Sequence, residues 1–114
     1  MEHRWGERYR AAINIRLWNR SDQFIRGRTV NLSSSGALVL TEQPLSALRR
    51  LSVELDLSFT HELKRAAVSA FVVRIVRGGA ALEWSEPLPF DITSVVAAHS
   101  GVIQNTASCN EPRR

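Results

Sequence analysis

The chain is poor in the residues that would hold a fold by chemistry rather than packing. Of its 114 residues one is cysteine, four are proline, six are glycine and a single one, Lys64, is lysine. The lone Cys109 has no partner for an intrachain disulfide, which excludes a disulfide scaffold and fits a reducing compartment. Apolar runs stop well short of the ~20 residues that cross a bilayer. The opening MEHRWGERYR is charged and lacks the apolar stretch of a secretory leader. The expectation is a cytoplasmic protein without a membrane span, built as one domain around one core.

Reactive constellations are also missing. His3, His61 and His99 are far apart in sequence and have no metal-ligand partners at useful spacing. There is no nucleophile elbow, no phosphate-binding Walker loop and no paired-carboxylate motif. Glu54 and Asp56 share one face of a strand pattern, an arrangement that solvation alone explains. The sequence therefore supplies no catalytic residue, metal site or cofactor, and it does not read as an enzyme.

What is present is arginine. Fourteen of the fifteen basic residues are arginines, and residues 1–28 hold seven of them against Glu2, Glu7 and Asp22. The rest of the chain balances to zero, so the net charge of +4 sits in the first quarter. The guanidinium fork suits phosphate oxygens and the O6/N7 edge of guanine, and its plane stacks on bases.

The apolar pattern has a period of two. Ile13, Ile15 and Leu17 alternate with polar residues, and Leu51, Val53, Leu55 and Leu57 give the cleanest alternation. With QFIRGRTV, ALVL, AAVSAFVVRIV and AALEW, six strands with short connections predict an all-β, antiparallel sheet closed into a small barrel. Gly78-Gly79 marks a hairpin. After Pro87 and Pro89 the period changes: Ile92, Val95, Val96, His99, Val102 and Ile103 follow helical spacing, with Asp91 as a candidate cap. The predicted layout is one domain over 1–106, with an N-terminal segment 1–10, the barrel over 11–86 and a C-terminal helix over 89–105. A tail follows over 107–114.

Two short motifs flank the first strand pair. Arg4 and Arg8 are four apart in RWGER, before the first strand. Asn31, Ser33 and Gly36 follow the second strand, in NLSSSG. The asparagine amide donates and accepts and favours an Asx-turn, and the serine adds a hydroxyl. Gly36 either takes a positive φ or lets a ligand approach the backbone. A partner for all of these needs anionic oxygens and polar edges; a guanine nucleotide fits, and phosphate or nucleic acid fits the arginine half.

With those motifs in that order, the chain resembles the PilZ domain family, bacterial receptors for cyclic di-GMP. An RxxxR motif precedes the first strand in that family and a [D/N]xSxxG motif follows the second. The VVRIVRGGAALEW hairpin and a C-terminal helix also match, over residues 3 to 104. The resemblance implies a six-stranded PilZ-type β-barrel with a C-terminal α-helix. It implies that Arg4 and Arg8 contact the phosphates and guanine edges, that Asn31 and Ser33 hydrogen-bond from the barrel side, and that Gly36 shapes the turn. His3 stands where the family often has another arginine, leaving open one cyclic di-GMP or a stacked pair. Trp5 either stacks on a base or shields the barrel mouth, and Arg10 is a further cation within reach. Residues 1–10 are expected to be mobile when free and to close over the ligand, signalling to an effector protein. Two alternatives stand: an interaction adaptor that has lost nucleotide binding, and a small-barrel nucleic-acid module. The scarcity of aromatics, with Phe59, Phe71 and Phe90 adjoining apolar runs, argues against the second.

Overall fold

The computed structural model describes residues 8–18, 23–46, 49–58 and 65–99, together with the backbone of 101–102. The elements run β1 (Tyr9–Arg10), β2 (Asn14–Trp18), β3 (Phe24–Leu32), β4 (Gly36–Thr41), β5 (Arg50–Asp56), β6 (Arg65–Val76) and β7 (Gly79–Trp84). The helix α1 (Phe90–His99) and the short β8 (Gly101–Val102) follow. Six of the strands form the expected closed antiparallel barrel, in the order β2-β5-β6-β7-β4-β3 with β3 returning to β2. The added strands β1 and β8 continue the sheet beyond β3.

Alternation decides which side chains fill the barrel. Leu51, Val53, Leu55 and Leu57 are all buried, as are Ile15 and Leu17, and with Val39, Val72 and Leu82 they form one continuous core. Each fully buried branched side chain contributes about 1.5–3 kcal/mol, so the period-two pattern accounts for both the strands and their inward faces. Gly78 turns the β6–β7 hairpin at a φ of 81°, a conformation that favours glycine.

Three expectations are corrected. The helix stops at His99 instead of continuing to 105, because Gly101 and Val102 pair with Arg10 and Tyr9 in β1 and their backbone is satisfied as strand. Ile92 and Val96 are buried in the barrel core, whereas Val102 belongs to β8 and Ile103 lies outside the described residues. Asp91 does not precede the helix but sits in its first turn, where a carboxylate still favours the N-terminal end; Pro89 O accepts from Ile92 N and Thr93 N there. Phe71 and Phe90 are exposed rather than buried, the first covered by the Arg50 guanidinium 4.9 Å from its ring centroid. Phe59 lies outside the described residues.

The passage from β1 to β2 positions the N-terminal arginine. The long β3 pairs with β2 through its first half and with β1 through Asn31 and Leu32. Between them Ala11–Ile13 leaves regular pairing, and the β3–β4 register shifts between Thr29 and Asn31. The buried Thr29 hydroxyl bridges this break: it accepts from Ile13 N at 3.0 Å and donates to Ala11 O. Thr29 N donates to Ile13 O at 2.9 Å. Thr29→Val keeps the shape but orphans a buried amide and carbonyl, so it should cost about 1–3 kcal/mol in denaturant unfolding. An unchanged midpoint would contradict this role.

Candidate functional site

The two motif halves meet at the end of β3. Arg8, half-buried just before β1, donates from Nη1 to Asn31 Oδ1 at 3.2 Å. The same guanidinium carries an Nε–H that is buried without an acceptor among the described residues. An unsatisfied buried donor costs about 1–3 kcal/mol, more when charged, so this nitrogen marks where an anionic oxygen would be stabilised. Asn31 is not in a turn: it pairs with Arg10 in β1 and with Leu38 in β4. Its carbonyl is used by Arg8, and its amide donors have no partner among the described residues. Arg10, opposite it on β1, has an exposed side chain.

The turn proper is Ser33–Ser35, and it is held from both sides. Ser33 is buried, and its hydroxyl accepts from Ser35 N at 3.2 Å and Gly36 N at 3.3 Å, while Ser33 N donates to Gly36 O at 2.8 Å. The three turn carbonyls are captured by the chain around the end of β7. Trp84 Nε1 donates to Ser33 O at 3.0 Å, Leu88 N to Ser34 O at 2.9 Å and Trp84 N to Ser35 O at 2.9 Å. Gly36 does not take a positive φ; a Cβ there would lie 2.2 Å from Leu82 O, so glycine is required by the approach of β7 to β4.

The structure thus brings together Arg8, Arg10, Asn31, Ser33 and Gly36. His3, Arg4 and Trp5 lie outside the described residues. The expectation that residues 1–10 are mobile as a whole is corrected at its end, since Arg8 is hydrogen-bonded and Tyr9–Arg10 is a strand paired on both edges. Sequence reading did not single out Thr29, Trp84 or Leu88, whose partners are backbone groups distant in sequence. Among the described residues no cluster of His, Cys, Asp or Glu could hold a metal ion, and no helix is long and apolar enough to cross a membrane.

The result is a small closed barrel that presents an arginine and an asparagine beside a polar turn fixed by hydrogen bonds. The PilZ domain model matches residues 2–96, and the chain belongs to the PilZ family. No curated protein matches the chain. Among solved structures it is similar to the Bacillus subtilis inhibitor of motility (MotI/DgrA), with a TM-score of 0.67 and 19% identity. The alignment covers 100% of this chain and 55% of that one, so the chain spans about half that protein's length.

Trp84→Phe separates packing from capture of the turn, because it keeps a ring in the core and removes one hydrogen bond. It should lower stability by about 1 kcal/mol and speed hydrogen exchange at Ser35 and Gly36. Unaltered exchange at those amides would show that the indole does not hold the turn.

Proposed function

We propose that this PilZ domain binds cyclic di-GMP at the Arg8–Asn31 corner and signals through the segments joined there. The observation that carries the reading is the Arg8 guanidinium, tethered to Asn31 by one nitrogen and left with a buried Nε–H that has no acceptor among the described residues. PilZ domains are generally cyclic di-GMP receptors and act as binding modules, and this chain has the arginine, asparagine, serine and glycine of both motifs.

The roles follow from the chemistry of each group. Arg8 offers its fork to a phosphate or to the O6/N7 edge of a guanine. Asn31 donates its amide N–H groups to the ligand, and Ser33 and Gly36 keep the turn in place against β7. Arg4 closes from the N-terminal side, with Trp5, Arg10 and His3 as accessory groups. Because Tyr9–Arg10 lies between β3 and β8, ligand contact at Arg8 also acts on the pairing of Gly101–Val102. Ordering of the N-terminal residues and this pairing together alter a surface read by an effector protein. Control of motility, which the name of the similar Bacillus subtilis structure states for that protein, is the setting this reading suggests.

Isothermal titration with cyclic di-GMP tests it. Each charge-assisted hydrogen bond contributes roughly 1.5–3 kcal/mol, so Arg4→Ala and Arg8→Ala should each weaken binding about ten- to a hundredfold. Arg8→Lys should also lose affinity, since lysine keeps the charge without the fork. Saturable wild-type binding with unchanged affinity in all three variants would remove the site assignment. No binding by the wild-type chain would favour the adaptor reading.

A further inference from the structure

The arginine excess is not used up at that corner. Arg16, Arg26 and Arg28 stand on the outer face of β2 and β3, and the register places Arg16 directly opposite Arg26. Like charges directly opposite on a sheet are destabilising, and here the Phe24 ring and the Glu54 carboxylate offset part of that repulsion. Arg28, two residues from Arg26, is exposed and has no partner among the described residues. The Arg16 and Arg26 guanidiniums lie 5.0 and 5.9 Å from the centroid of the Phe24 ring, which keeps the two close together.

Across the strands the charge changes sign. Glu54 on β5 is opposite Arg16, with its Oε1 3.4 Å from Arg16 Nη1, and Asp56 is two residues further along. Asp56 is held below the ordinary carboxylate range by hydrogen bonds from the Ser58 hydroxyl and backbone N–H, with Arg65 and Arg16 adding to this, so it stays ionised. These groups line an open groove of about 610 Å³, a volume typical of small-ligand sites. Arg8, Asn31 and Ser33 do not line it.

The arrangement has a cationic side on β2 and β3 and, across it, an acceptor side where Glu54 and Asp56 stand beside Arg65. Carboxylates at both borders, Glu42 beyond β4 and Glu54 with Asp56 on β5, oppose a long polyanion. A small ligand bearing one phosphate and several N–H donors satisfies both sides. We propose that this outer groove is a second site that binds a nucleoside monophosphate with a donor-rich base, its phosphate on Arg26 and Arg28 and its base N–H groups on Glu54. The proposal does not depend on cyclic di-GMP binding at the Arg8–Asn31 corner.

Amide-resolved NMR titration of the full chain with GMP, UMP and inorganic phosphate tests it. GMP should shift amides of residues 14–16, 26–28 and 54–56 and bind about tenfold or more tighter than phosphate, with UMP between them. Arg28→Ala, a change at an exposed side chain, should weaken GMP and phosphate alike by about tenfold. Glu54→Gln should weaken GMP while leaving phosphate unchanged or tighter. Equal affinity for all three probes, shifts confined to residues 8–10 and 31–36, or no saturable shift would each overturn the proposal. Cyclic di-GMP affinity measured in Arg28→Ala should match the wild type, which keeps the two sites distinguishable.

Discussion

The structure depends on how β3 serves two neighbours on one edge. A strand that pairs with β2 along one half and β1 along the other must bridge the break between them, or leave buried backbone groups unpaired. Thr29 makes that bridge with one hydroxyl, accepting from Ile13 N and donating to Ala11 O. The break lets the chain leave the barrel wall at Ala11 and return as β1 against Asn31. Without it, nothing in the barrel would direct Arg8 to that asparagine.

The second constraint is rigidity in the turn that follows. Three polar residues between two strands would ordinarily be a mobile hairpin tip. Here the three carbonyls of Ser33–Ser35 are bound by Trp84 and Leu88, and the Ser35 and Gly36 amides donate to the Ser33 hydroxyl. The asparagine is therefore presented by a strand end whose neighbours cannot shift independently. A site held this way spends less binding free energy on ordering its wall. The other half of the RxxxR motif, Arg4, lies outside the described residues.

Much of this was legible in the sequence because its signals are local. Leu51, Val53, Leu55 and Leu57 alternate, and an alternating strand buries one face in any sheet. Gly78-Gly79 needed no tertiary information to be read as a hairpin. The site was legible as residue types in order, but not as geometry. Asn31 reads as a turn residue by propensity, yet backbone pairing with Arg10 and Leu38 makes it strand. Gly36 reads as a φ requirement or a ligand's approach, and the constraint found is a carbonyl of β7, a strand more than forty residues later. Trp84 gave no signal, since its partner Ser33 O is a backbone atom 51 residues away. The helix was read too long because helical spacing continues through Val102, where pairing with β1 wins.

The central claim is that Arg8 is already placed by the fold and lacks only its anionic acceptor. The side-chain Nε–H resonance of Arg8 reports on this directly, compared in the free protein and at saturation with cyclic di-GMP. The account predicts one ordered signal in both states, which moves downfield and exchanges more slowly with water once the ligand is bound. A resonance unchanged at saturation would contradict it.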